Sequence, residues 1–398
     1  MTKNHSAVRG ALGVGVLFAS NGAVFAALLP WYPLLSERLD LNPVEFGFIV
    51  AAFAVGGIVS SAAPAPLIAR FGPVRVAFWT TVLLAAAVAS APWGGAGWLL
   101  ALSLFSVGLF DAVVDVAQNV AGIRMEDSSG RTILSSMHAL WSLGGVASGI
   151  ASTAAAAAGV DVRAYLAGAA AVAIVLVGAG ALLLRDLPEP SARVAGGTAH
   201  QTGIRWKPVA VAALPLVVIA VSGTMVEDVA NNWAAMSAVQ LGGMAPSVAG
   251  IAFTVVIGSQ CLGRFTGDLL IARFGRAAIA RTGGALIALG GVLVVTTDDA
   301  VWQLLLGLAL AGYGSATIVP SALAAAGKLP GVSEGAGVTI VSWLMRTGFL
   351  VTSPLIGSVA AVTELRVALG ILIAIGTAAL VLAGALAPRM SRYPRSSA

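Results

Sequence analysis

Two carboxylates, Asp111 and Asp115, stand four residues apart in a stretch that carries no other charge between Leu99 and Arg124. On a helix that spacing puts both on one face, and carboxylates this close act as one coupled proton site. Gln118 and Asn119 prolong the same stripe by a turn. The chemistry these residue types offer is proton uptake and release beside groups able to hydrogen-bond a polar solute. A hydrogen bond to a neighbouring helix would account for the acids equally well. Asp111 lies deeper in its segment; Asp115, nearer its inner end, could instead hold a gate.

A second cluster follows at Glu227, Asp228, Asn231 and Asn232, closed by Trp233. Glu227 and Asn231 share one helical face, Asp228 and Asn232 the next, so at most one of the two acids points straight into any one space. The asparagine pair suggests local unwinding, or a helix that simply ends there. Arg346 is the lone cation of its apolar segment, with Thr339, Ser342 and Ser353 near its face. A guanidinium so placed needs an acid or an anionic ligand. The candidates are Glu227 or Asp228, a solute carboxylate, or an acid of the Asp111 segment. Ser20 and Asn21 offer polar groups near the middle of the first segment, and Tyr313, between two glycines, either touches solute or marks close packing. Trp31 and Tyr32 read as interface anchors, Trp141 and Trp343 as packing residues or anchors. Gln260 is a weaker candidate. The three histidines are scattered and suggest no metal site, and the single cysteine, Cys261, excludes an internal disulfide.

The elements that hold these groups are written in the composition. Of 398 residues, 58% are hydrophobic and 10% charged. Ordinary soluble domains carry about 25% charged residues, so lipid is the solvent this chain implies. Its 48 glycines suit close helix approach in a bilayer. Apolar runs of spanning length predict helices over 10–35, 46–68, 76–92, 98–123, 132–158 and 164–184, then 208–237, 247–270, 277–297, 301–326, 335–362 and 367–387. The expected fold is an all-α membrane protein of twelve transmembrane helices in two pseudo-symmetric six-helix bundles, 1–184 and 208–398, joined by a cytoplasmic linker, 185–207. The first apolar run, 26 residues without a charge, is too long for a signal-peptide core and reads as a retained helix.

With the N-terminus inside, 18 of the 22 Lys and Arg fall on the inner side and three on the outer. This asymmetry predicts that both termini are cytoplasmic and explains the net charge of +5 without nucleic acid. The halves also repeat. LIARFG at 67–72 recurs at 270–275, and Pro43/Pro246 and Gly145/Gly348 share the offset of 203. Two parallel copies imply a pseudo-twofold axis along the membrane normal.

Two six-helix halves with a basic loop after the second helix of each resemble the major facilitator superfamily. The first loop keeps Arg70, Gly72 and Arg75 and the second Arg273, Gly275 and Arg276, with Gly263, Arg264 and Asp268 just upstream; Ala69 and Ala272 stand where that family usually has Asp. The DVAQN run at 115–119, HALWSLGG at 138–145, the acid-to-Trp stretch from Glu227 to Trp233, GRFTGD at 263–268 and YGSATIVP at 313–320 look like the bacterial subgroup related to fucose permease. The resemblance implies a cavity lined by helices 1, 4, 7 and 10, and it favours Glu227 as the acid of the family pattern. Taken with the residue reading above, proton coupling is expected at Asp111, Asp115, Glu227 and Asp228. Solute contacts would come from Asn21, Gln118, Asn119, Asn231, Asn232, Tyr313 and Arg346, and gating from the two loop motifs. The implied activity is secondary active transport of a small polar organic solute across a bacterial cytoplasmic membrane, by a monomer in the lipid bilayer, with a proton gradient as energy source and no cofactor. Drug or metabolite efflux against protons is the alternative, weakened because the fifth helix, SLGGVASG, lacks a Gly-Pro pair; few aromatics are expected along the cavity. A receptor or sensor would need a signalling domain, and an enzyme a metal, nucleophile or cofactor motif; neither shows in the sequence.

Overall fold

The computed structural model describes residues 2–129, 133–185, 206–329, 332 and 334–387. Twelve of its helices are long and apolar enough to cross a membrane: α1 Val8–Arg38, α2 Pro43–Ala62, α3 Pro73–Trp93, α4 Gly97–Ser128, α5 Ser136–Ala157, α6 Val162–Leu184, α7 Val209–Gln240, α8 Ile251–Phe274, α9 Arg276–Val295, α10 Val301–Ala326, α11 Gly337–Val362 and α12 Leu365–Leu386. The described residues form no strand, as lipid demands of a chain that must satisfy its backbone within each segment. Most of the expected linker, residues 186–205, lies outside the described residues.

Helix boundaries follow local chemistry. Asn42 caps α2 in a reciprocal capping box with Glu45, and Pro43 occupies the first turn, where its missing N–H costs nothing. Asp161 caps α6 through the N–H groups of Arg163 and Ala164. The LIARF copies both end on a glycine of nearly identical backbone: Gly72 at φ 79°, ψ 155° and Gly275 at φ 81°, ψ 156°. The repeat read from the letters is thus a repeat of geometry, in a region open only to glycine. The copies differ upstream. After α2 the chain turns at Ser60–Ala62 and restarts as a short helix, Pro64–Phe71, whereas α8 runs unbroken from Ile251 to Phe274. Pro64 and Pro66 explain the break, because proline removes a helical N–H and crowds the preceding turn.

Within each half, small residues let backbones meet. Gly56 of α2 faces the Phe105 carbonyl of α4, and Gly290 of α9 faces the Gly307 carbonyl of α10. A side chain at either position would strike backbone, which is why glycine is used at such crossings.

The halves join mainly through α2 on α11 and α5 on α8, with the C-terminal end of α7 resting on the C-terminal end of α1. The close contacts gather at the end opposite the termini. Gly47 meets the carbonyl of Ser353, Gly357 meets that of Pro43, and Gly250 packs on Pro30 and Thr153. Aromatic rings seal the same end: Tyr32 packs edge-on against Phe46 at 5.6 Å, and Phe46 against Trp233 at 5.2 Å. Trp31 and Tyr32 are therefore not interface anchors; they are 2% and 3% exposed and belong to this seal. Among the described residues, no helices of opposite halves pack to a comparable extent toward the terminus-bearing end, so the described helices are closed together at one end and parted at the other.

Candidate functional site

Several polar residues of the spans link helices to one another, and one such link crosses the seam between the halves. In α1, Asn21 is buried and links two helices: its amide nitrogen donates to Asp111 Oδ1 at 3.2 Å, while its Oδ1 accepts from Trp141 Nε1 at 2.8 Å. Trp141 thus orients the asparagine rather than only packing. Four residues along α4, Asp115 accepts from the Asn119 amide at 3.0 Å, and Asn119 Oδ1 lies 3.2 Å from His138 Nε2 on α5. Asp115 and His138 are solvent-accessible although both are carried by spanning helices. An accessible ionisable side chain at such depth faces a wet pathway rather than lipid. Gln118, one residue from Asn119, is 1% exposed, and its Oε1 has no hydrogen-bond partner.

Across the seam, Glu227 and Asp228 part as helical geometry requires. Glu227 pairs with Arg264 of α8 at 3.6 Å, and Arg264 also donates to Ser142 Oγ of α5 at 2.7 Å. That hydrogen bond joins the two halves. Arg264 was expected in a gating segment with Gly263 and Asp268, but all three are helical. Arg264 lies ten residues before the end of α8, about 15 Å along a helix. Gly263 seats α8 against the Tyr313 backbone and Ala316 of α10, and only Asp268 is exposed. Arg70, Arg75, Arg273 and Arg276, by contrast, are exposed beside the two turns at Gly72 and Gly275.

Asp228 is 4% exposed and held by donors. Its two oxygens accept from the Asn232 amide at 2.9 Å and the Ser353 hydroxyl at 2.5 Å, and Trp233 Nε1 donates to the same Ser353 oxygen at 3.0 Å. The helix does not end at Asn231. It passes through a π-helical turn at Val229–Trp233 and continues to Gln240; such wide turns re-aim side chains without losing the helix. Asp228, Asn231 and Asn232 line a small cavity whose other wall includes Phe25, Tyr32, Phe53 and Phe349. The expectation of few aromatics near the site is thus corrected.

Arg346, half-buried in α11, makes no ion pair with Glu227 or Asp228. It interacts electrostatically with Asp111 and Asp115 of α4, acids of the opposite half. Tyr313 turns its hydroxyl to Thr266 Oγ1 at 2.8 Å, and its flanking glycines pack on α8 and α9. Gln260 donates to Ser315 at 3.3 Å. These last residues brace α8 against α10. No group of three or more His, Cys, Asp or Glu able to hold a metal occurs among the described residues. Sequence reasoning missed the roles of His138, Trp141 and Ser142, and it grouped Ser353 with Arg346 although that hydroxyl serves Asp228. A lone histidine and isolated hydroxyls carry no spacing signal; HALWS at 138–142 was noted only as part of a resemblance.

No family model matches the chain. It is 26% identical over 350 residues to an uncharacterised MFS-type transporter of Yersinia pestis, covering 88% of each chain. Among solved structures, it superposes on a D-xylose-proton symporter with a TM-score of 0.73 at 16% identity, covering 96% of both chains. The fucose:proton symporter of E. coli gives 0.62 at 17% identity, with 95% of this chain and 98% of that one covered.

Proposed function

We propose that this chain is a transporter of the major facilitator type, which moves a small polar organic molecule between its two halves in a step coupled to protons. The observation that carries this reading is the seam itself. Asp111 and Asp115 of one half interact electrostatically with Arg346 of the other, and Arg264, paired with Glu227, reaches across to Ser142 of α5, one turn from His138 and its contact with Asn119. Ionisable groups are costly inside a membrane and are kept where they meet water, a partner or a solute. The two solved neighbours described as proton symporters support the same reading.

In this proposal Asp111 binds the proton, with Asn21 and Trp141 fixing its position. Asn119, Asn231 and Asn232 supply paired donors and acceptors for hydroxyl or carbonyl groups. Phe25, Phe53 and Phe349 offer faces on which an apolar side of the solute rests. Arg346 responds to the charge on the α4 acids, so that a proton or a solute anion arriving there alters the attraction between halves. Transport proceeds by rocking of the halves about the fixed site. The basic loops face the cytoplasm, so the parted end is cytoplasmic, and the chain works as a monomer in a bacterial inner membrane because one chain supplies both walls.

The test is uptake into proteoliposomes under an imposed pH gradient, over a panel of sugars, nucleosides and organic acids. Accumulation of one class should follow the gradient. Asp111→Asn should abolish concentrative uptake while leaving solute exchange in part. Accumulation indifferent to the gradient, or unchanged in the variant, removes proton coupling at Asp111.

A further inference from the structure

Away from the seam, at the terminus-bearing end of the N-terminal half, α3, α4 and α6 enclose a cleft of about 540 Å³. Its deeper wall is apolar: Phe78 of α3, Ala121 of α4, and Gly178 and Ala181 of α6. Three guanidiniums lie at its mouth, Arg75 at the start of α3, Arg124 in the last turns of α4 and Arg185 just beyond α6. No acid lines it, and none of the three guanidinium groups makes an ion pair or hydrogen bond with the described residues. Glu126, two residues beyond Arg124, accepts from the Ile133 N–H at 2.6 Å.

We propose that this cleft binds one anionic phospholipid, its headgroup phosphate on the three arginines and an acyl chain along the α3–α6 wall. Three like charges around one opening repel unless an anion sits among them. Guanidinium is suited to phosphate because its N–H groups match two oxygens at once. A basic pocket between spanning helices is the arrangement that recognises acidic headgroups. The apolar depth discriminates a lipid from a free anion, since an acyl chain gains by burying each methylene and inorganic phosphate does not.

The test uses the purified full chain, stripped of lipid, with native mass spectrometry. The probes are phosphatidylglycerol, phosphatidylcholine with the same acyl chains, and inorganic phosphate. One phosphatidylglycerol should remain bound under activation that strips phosphatidylcholine, and excess phosphate should not displace it. The triple variant R75Q/R124Q/R185Q should lose affinity by on the order of tenfold or more, as expected for removing three basic contacts to an acidic headgroup. Gly178→Leu, which keeps every charge but fills the wall, should also lose the lipid, so the claim survives misfolding of either variant alone; monodispersity is checked by gel filtration. Equal retention of the two lipids, displacement by phosphate, an unchanged adduct in a well-folded variant, or no adduct because the chain itself fills the cleft would each overturn it.

Discussion

Arg264 does two jobs with one guanidinium: it holds Glu227 within its own half and reaches Ser142 in the other. Its side chain and that of Glu227 are 28% and 26% exposed, between the buried pairs whose disruption is severe and the surface pairs that contribute little. Arg264→Ala should therefore cost about 1–2 kcal/mol, less than the penalty for a fully buried pair. In thermal unfolding in detergent, Glu227→Gln with Arg264→Gln should lose less than the two single losses added together. Strict additivity would mean the side chains are not coupled. Ser353→Ala tests the other acid. It removes one of two donors to Asp228 and the acceptor of Trp233, and should lower the melting temperature while Ser342→Ala does not; equal effects would deny the site its special place. The acids were readable in the sequence because charge in an apolar run is conspicuous. Arg264 was visible as a charge but misplaced, because it precedes a basic turn by ten residues and only the unbroken helix shows the distance. His138 and Trp141 were not readable, since their roles arise from partners 19 and 120 residues away.

At the level of helices, the sealed end depends on backbone meeting backbone. Gly47 and Gly357 let α2 and α11 approach until a Cβ on either would strike a carbonyl of the other. Gly47→Leu should hold that end apart and stop transport. In a background with Cys261 replaced by serine, a cysteine at position 231 should then react with a membrane-impermeant maleimide from the side opposite the termini, and the same cysteine should be protected when Gly47 is intact. Protection in both would show that the crossing is not the barrier. The spans themselves were plain in the sequence, because hydropathy over about 20 residues is a strong signal. The π turn at Val229–Trp233 was only hinted at, and the 3₁₀ turn at Leu29–Trp31 was not. The hint in α7 was the asparagine pair at 231 and 232, read as local unwinding or a helix end, and it takes coordinates to show a wide turn that continues the helix.

Over the whole molecule, the duplicated architecture makes paired predictions. Gly72→Ala and Gly275→Ala each force a side chain into backbone space reserved for glycine, so both should destabilise, by about 1–3 kcal/mol and in similar measure. A loss confined to one would mean that its turn relaxes. Reporter domains fused to either terminus should fall on the same side of the membrane, the cytoplasmic one; opposite outcomes would reject the even number of crossings or the charge rule used to orient them. Duplication was legible because six letters recur at one offset in corresponding places. What the letters hid was the unequal stiffness of the copies. A rod that runs unbroken to its basic turn transmits torque from the bilayer interior to the surface, while a rod cut by Pro64 and Pro66 works as a jointed arm. Amide exchange should be faster over 60–72 than over 263–275. Of two near-twin levers, then, one is able to fold at the elbow as the parted end closes, and the other has to swing as a whole.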